Sequence, residues 1–372
     1  FSLASFSFNA GLLINNLTVL MLVVVNVISF LVHLYSVKYM AGDTALPRYF
    51  AMLGFFTFSM LGIVAANNLL LAFVFWELVG FSSYMLIGHW NHKSEAAKAA
   101  KKAFIVNRIG DAGFLVGLMI LWTIAGTLDF AILPSIHLSD GWQTAAALCI
   151  FCGVAGKSAQ MPLFTWLPDA MEGPTPVSAL IHAATMVAAG VFLLVRIDFM
   201  FTPPAADVIA LVGILTSLLA AFAALAQTDI KKVLAYSTIS QLGLMICAVG
   251  AGSSAAAMLH LFTHAFFKAC LFLAAGSVIH ALHHAQRYSD ITFDAQDMRN
   301  MGGLRRKMPG TFLLMLVSAL ALAGIPFSSG FVSKDAILSA LLVYSGDAMN
   351  WRWFVFAGAF VVSFVTVLYT FR

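Results

Sequence analysis

Charge is what this sequence has least of. Only 10% of its 372 residues are Asp, Glu, Lys or Arg, against 61% hydrophobic, whereas a soluble globular chain carries about 25% charged residues. A soluble fold of this size is thereby excluded. Cysteine is scarce too: Cys149, Cys152, Cys247 and Cys270 all sit inside apolar runs, where oxidation and metal exchange are hindered. Cys149 and Cys152 form a CxxC, but a redox or zinc site needs exposure or a second ligand pair, so all four read as small hydrophobes of a membrane core. Also missing are a GxGxxG, a P-loop, a GxSxG and any haem or iron–sulfur cysteine set, which leaves this chain without nucleotide, hydrolytic or redox chemistry of its own. No basic, then apolar, then small pattern opens the chain, so no signal peptide is visible. Phe1 opens it and Arg372 closes it directly behind an apolar run, and the expectation is a piece of a longer protein. The formal net charge of +4 is concentrated in short loops; it speaks of topology and implies no nucleic acid.

What is present is a series of apolar runs, each long enough to cross a bilayer at about 20 residues per span. About eleven candidate spans lie near 11–37, 50–66, 68–89, 100–125, 142–168, 175–197, 207–226, 233–250, 254–282, 310–345 and 353–371. They form one membrane domain, 1–372. The run 142–168 contains Gly153, Gly156 and Pro162, and the over-long run 310–345 contains Gly324, Pro326 and Gly330; both read as broken helices. Each also carries a lysine, Lys157 or Lys334, and paired interrupted spans point to a transport site built on inverted repeats. Alternate loops differ in Lys and Arg, as they must in a true multi-span protein. Lys38 and Arg48, Lys93 to Lys102, Lys231 and Lys232, and Arg287 to Lys307 fall on one side, leaving Arg196 and Arg352 for the other. The basic side is the cytoplasmic or matrix side.

Four charges lie deep in apolar sequence: Glu77 in FVFWELVGF, Asp111 in NRIGDAGFL, Lys157 in GVAGKSAQM and Lys334 in GFVSKDAIL. Each costs about 2.5–3.5 kcal/mol at mid-membrane, and together roughly 10 kcal/mol or more, comparable to the whole stability of a domain at about 5–15 kcal/mol. Charges so costly face a wet interior and act, or else form buried ion pairs that hold helices together. His182 in SALIHAATM extends the series, as do His260, His264 and Lys268, which are spaced four apart and so share one helix face. Three protonatable groups in a stripe suit a proton wire, since imidazole exchanges protons near neutral pH and a desolvated lysine can do so. A metal site is the rival, but two histidines without an HExxH glutamate supply two ligands. His280, His283 and His284 fall near the end of the same run and read as solvated interfacial groups. Nothing here calls for a metal or a cofactor in this chain. In pKa terms, a carboxylate such as Glu77 moving toward or away from Lys157 would load or unload a proton.

At these residues the chain resembles the antiporter-like membrane subunits of respiratory complex I, with subunit L of the bacterial NADH-quinone oxidoreductase the nearest branch. The strings that carry the resemblance are NNLLLAFVFWELVGFSSYMLIG, KAFIVNRIGDAGF, GKSAQMPLFTWLPDAMEGPTPVSALIHAATMVAAGVFL, QTDIKKVLAYSTISQLG, HLFTHAFFKACLFLAAGSVIH, and MGGLRRKMP followed by GIPFSSGFVSKDAIL. The resemblance implies an all-α polytopic proton channel of two inverted five-helix repeats, each with a broken helix, driven by quinone reduction elsewhere in the complex. It matches Glu77 to a glutamate partnered with the broken-helix lysine, Lys157 to that lysine, and His182 to a connecting histidine. His264 and Lys268, beside His260, fall on the second-half relay, and Lys334 with Asp335 on the second broken helix. Asp111 and Arg108 match a charged pair in a neighbouring span. Asn15 departs from the pattern, standing where subunit L often has aspartate, and the family's first helices, final helices and lateral helix are missing from 1–372. NADH, FMN, iron–sulfur clusters and quinone are expected in other subunits, and the partners are those membrane subunits, the neighbouring antiporter-like one above all, together with lipid. The strings favour a bacterial cytoplasmic membrane over a mitochondrial inner one. Two other readings share these residues: the large subunit of a multi-subunit Na+/H+ antiporter or a membrane hydrogenase, and a passive scaffold with locked ion pairs.

Overall fold

The structure, a computed structural model, describes all residues except 1, 4, 5, 8, 287, 289–292, 348 and 349. Arg287, counted above among the basic-side cations, lies outside the described residues. Apart from a two-residue antiparallel pair, β1 (Ser2–Leu3) with β2 (Phe6–Ser7), the described secondary structure is helical. The helices are α1 (Asn16–Tyr39), α2 (Leu46–Ala65), α3 (Leu69–Ile87), α4 (Ser94–Ala125), α5 (Asp140–Lys157), α6 (Trp166–Asp169) and α7 (Thr175–Ala183). They continue with α8 (Met186–Arg196), α9 (Pro203–Ala226), α10 (Ile230–Gly250), α11 (Ser254–Gln286), α12 (Pro309–Ala323), α13 (Ser329–Ser345) and α14 (Arg352–Phe371).

Local chemistry sets where these helices start and stop. Asn15, Asn68, Asp229 and Ser328 each cap an N-terminus by accepting a backbone N–H from the first turn. Proline opens α2, α7, α9 and α12, where its missing N–H costs nothing. Gly126 and Gly324 end α4 and α12 in the left-handed conformation.

Nine segments among the described residues are long and apolar enough to span a membrane, with α7 and α8 counted as one. The two remaining expected spans are the interrupted ones. The run 142–168 breaks after Lys157 into α5 and α6, and 310–345 breaks between Ala323 and Ser329 into α12 and α13. A third interruption, at Ala184 and Thr185 between α7 and α8, has no glycine or proline to announce it. From α2 onward the spans form two consecutive sets of five, α2 to α8 and α9 to α14, each with its lysine-bearing broken span fourth. Five is odd, so the second set enters from the opposite face and the two broken spans run in opposite directions.

Loop contacts confirm the two faces. On the basic side His89 meets Asp43, Arg48 donates to the His89 carbonyl, Lys102 pairs with Asp169, and Asp229 bridges to Asp297. On the other side Leu12 bridges to Ala66, Asn68 to Asp129, and Thr144 meets Thr202. The centre of the bundle is α7–α8, wholly buried, and α10, 94% buried over its most apolar stretch, whereas α1, α2, α4 and α14 bury 39% of theirs. Outward residues such as Phe30, Phe58, Val116, Leu313 and Phe364 are apolar and exposed, as lipid contact requires.

Candidate functional site: a row of buried ionisable groups

In the first half, glycine sets the geometry. Gly110, Gly113 and Gly117 bring α4 against α5 so closely that a Cβ at Gly110 would lie 2.7 Å from the Cys152 carbonyl. Asp111 on α4 thereby meets Lys157 at the last turn of α5, Oδ2 to Nζ 3.1 Å, both almost fully buried. Its other oxygen accepts the Trp76 indole N–H at 2.7 Å. The Lys157 ammonium rests on α3 at Gly80, where an added Cβ would approach it to 2.8 Å, one turn from Glu77. Glu77 itself pairs with Arg108, while its Oε1 is buried with no protein partner. Asp111, Lys157 and Arg108 all lie within electrostatic reach of Glu77, two acids and two bases in one cluster.

The break after Lys157 packs on the break between α7 and α8: Ser158 Oγ donates to the Val187 carbonyl at 2.7 Å. Just before that break stands His182, fully buried, its ring 4.8 Å from Phe272 of α11 and neither nitrogen bonded to protein. It lies within electrostatic reach of Lys268 and Lys231. Along α11, His260, His264 and Lys268 are all buried, as their spacing predicts. His264 Nε2 has no protein partner. The Lys268 ammonium donates to Ser237 Oγ and to the Leu234 carbonyl of α10. His260 is held at both ends, Nδ1 2.8 Å from Ser333 Oγ and Nε2 3.0 Å from Gln241 Oε1. Lys334, in the second turn of α13, donates to the Leu322 carbonyl at the end of α12, 2.6 Å away. Neither Lys157 nor Lys334 faces the outer surface.

Several expectations need correction. Glu77 pairs with Arg108 and Lys157 with Asp111, so Arg108 and Asp111 are partners of other helices and not of each other; at i and i+3 they share a face of α4, Arg108 reaching Glu77 on α3 and Asp111 bridging Trp76 on α3 to Lys157 on α5. Asp335 is exposed while Lys334 is buried, because adjacent helix residues are 100° apart and cannot both turn inward. Lys231, counted as a loop cation, is buried at the start of α10 with its ammonium on the Met171 and Gly173 carbonyls. Arg196 is buried too, at the end of α8, donating to Thr18 Oγ1 at 2.8 Å with its guanidinium over the Phe130 and Phe192 rings. Among the cysteines Cys247 is fully buried, and Cys152 is exposed although its side chain borders Gly113 of α4. Gln241, Ser237 and Ser333 hold the row in place without standing out in the sequence as site residues. Gln241 carried a signal, a polar side chain alone in an apolar span; the serines, common in membrane helices, carried none.

Two helix breaks with a buried lysine each, joined through buried histidines, mark the centre of a polytopic helical membrane protein. Residues 66–366 match the family described as NADH:quinone oxidoreductase/Mrp antiporter transmembrane, and residues 1–50 match the NADH-ubiquinone oxidoreductase (complex I) chain 5 N-terminus; the chain belongs to this family of integral membrane proteins. It is 48% identical to NAD(P)H-quinone oxidoreductase subunit 5, organellar chromatophore 1, of Paulinella chromatophora, over 100% of this chain and 56% of that one. With NADH-quinone oxidoreductase subunit L of Rhodobacter capsulatus it shares 49% identity over 89% of this chain and 49% of the other. The chain thus spans about half the length of these relatives. Among solved structures it superposes on the Mrp complex of Dietzia sp. DQ12-45-1b with a TM-score of 0.83 at 30% identity, covering 96% of this chain and 39% of that one. The archaeal membrane-bound sulfane sulfur reductase gives 0.86 at 28%, covering 98% and 73%.

Proposed function

We propose that the chain is the channel core of an antiporter-like subunit of a respiratory NADH-quinone oxidoreductase, carrying protons across the membrane while quinone is reduced elsewhere in the complex. One observation carries the reading: a row of buried and half-buried ionisable groups runs from Glu77 and Lys157 through His182, His264 and Lys268 to Lys334, and within it Glu77, His182 and His264 keep atoms with no protein hydrogen-bond partner. Asp111 and Arg108 hold the charge balance at one end of the row, and His260 adjoins its other end. The full span 1–372 acts as one channel domain. It performs no redox step; NADH, FMN, iron–sulfur clusters and quinone belong to other subunits. Arg108, half-exposed at mid-membrane, and Asp335, exposed on α13, favour protein neighbours over lipid on those two faces, since a charge facing acyl chains costs about 2.5–3.5 kcal/mol; an adjoining antiporter-like subunit is the partner this reading supplies. In this reading the complex is integral to a membrane, with the look of the strings favouring a bacterial cytoplasmic membrane over a mitochondrial inner one. A Mrp-type antiporter subunit is the second reading, favoured by the structural likeness to the Dietzia complex.

The deciding experiment compares Lys334→Ala with Lys334→Arg in the assembled complex by proton-flux assay. Arginine keeps the charge and does not release its proton. A lysine that works by giving up its proton fails in both variants; full pumping with arginine would reduce Lys334 to a fixed charge and sink the relay. Pumping that requires Na+ would favour the antiporter reading.

A further inference from the structure

Four hydroxyls gather where α1, α7 and α11 meet on the basic side. Tyr39 Oη lies 3.0 Å from Thr175 Oγ1, and Tyr35 Oη 3.1 Å from Ser277 Oγ. A Cβ on Gly276 would sit 2.9 Å from Tyr35 Oη and 3.0 Å from Thr175 Cγ2, so that glycine keeps the two pairs together. His280, exposed, stands just beyond, its ring 5.7 Å from that of Tyr39. Thr175 is the first residue of α7, and Ser178 and His182 follow it at i+3 and i+7. The three share one helix face and cover about 10 Å along the axis at about 1.5 Å per residue. All are at most 2% exposed. Yet Ser178 Oγ and both His182 nitrogens meet no protein hydrogen-bond partner. Left dry, such groups would each be buried at the full cost of lost hydration. Two such side chains one turn apart on one face specify a small polar occupant able both to donate and to accept, which is what water does.

We infer that this face of α7 is the inlet by which protons from the basic side reach the buried row. They enter at the hydroxyl cluster beneath His280, cross water held at Ser178, and arrive at His182, beside Phe272 and within reach of Lys268. At each hop an oxygen accepts a proton on a lone pair and gives up another ahead of it, so nothing is consumed. Phe272, one turn from both Lys268 and Gly276 on α11, closes the direct way along that helix and directs traffic onto α7. This route rests on the relay reading proposed above.

Side-specific chemistry on the assembled complex tests it. In a background with Cys149, Cys152, Cys247 and Cys270 replaced by alanine, Ser178→Cys is exposed to silver ion from one side of sealed vesicles at a time, and the modified fraction is read by peptide mass. The inlet requires modification at least tenfold faster from the basic side; equal rates, a preference for the other side, or no reaction overturns it. Ser178→Leu, which fills the path, lowers proton flux at least fivefold, and an assembled Ser178→Leu complex that pumps fully also overturns it. Should that variant not assemble, the cysteine result decides. His182→Ala separates the two readings: loss of pumping there while the inlet tests fail leaves the relay standing with another entrance, whereas normal pumping removes the relay itself.

Discussion

The two halves of the bundle carry lysines at equivalent breaks and hold them by different means. In the first half Lys157 has a carboxylate, Asp111, and a second carboxylate pair, Glu77 with Arg108, lies beside it. In the second half Lys268 and Lys334 bond to a serine hydroxyl and to backbone carbonyls, and the neighbouring acid, Asp335, turns outward. A cation held by an acid is lost only with a stranded partner left behind. One held by carbonyls and hydroxyls leaves nothing charged when it goes. The first half is therefore the stiffer arrangement, and in the proposed relay the second would be the one freer to exchange its proton.

The largest effect should come from splitting the first-half pair. Lys157→Ala strands Asp111 in the interior, at a cost of about 3–5 kcal/mol, and the yield of assembled complex on native gels should collapse. Adding Asp111→Asn should recover most of that yield without recovering pumping; a double variant as poorly assembled as the single one would break the contrast. A smaller effect is expected from Lys268→Met. It gives up hydrogen bonds worth about 1.5–3 kcal/mol but also removes a buried cation, so the melting temperature should stay near that of the parent while flux is lost. A collapse equal to that of Lys157→Ala would mean that an acid reaches Lys268 after all.

The smallest effect belongs to the loops and calibrates the others, because there the groups sit outside the spans. Burial pushes the Asp43 carboxyl up, but hydrogen bonds from Trp90, the Ala45 N–H and His89 outweigh it and hold it below the usual range. Burial also lowers His89, against the opposing pull of Asp43. Both folded-state values are depressed, so both groups contribute stability above their unfolded values, near ~6.5 for histidine and ~3.9 for aspartate, that is lost as pH falls through the folded ones. Melting temperature should decline first below pH ~6.5 as His89 is forced to charge, and again below ~3.9. Trp90→Phe removes one hydrogen bond, about 0.5–1.5 kcal/mol, and moves the acid-side loss to higher pH. A melting curve indifferent to pH in this variant and its parent would exclude the cluster from stability.

Much of this was legible beforehand, for definite reasons. Length and hydropathy mark the spans, proline and glycine mark the breaks behind Lys157 and at Gly324, and a four-residue spacing places His260, His264 and Lys268 on one face. What was not legible depends on packing across helices. Which acid meets which base follows from how far Gly110 lets α4 approach α5. That Lys231 is buried follows from where α6 ends, since the carbonyls of Met171 and Gly173 are the groups its ammonium meets. The interruption at Thr185 is sustained by a tertiary environment, its hydroxyl bonding the Leu180 carbonyl at 2.8 Å, and no residue type there forecasts it.

The Leu322 carbonyl that receives Lys334 belongs to the last turn of a half-helix. The end of a helix bears roughly half an elementary negative charge that no proton can neutralise. An acid in that place would itself take up protons and turn the site into two linked equilibria. A peptide dipole gives a constant field, so in the proposed relay Lys334 would load and discharge as a one-variable switch, its timing left to whatever water and motion bring to it.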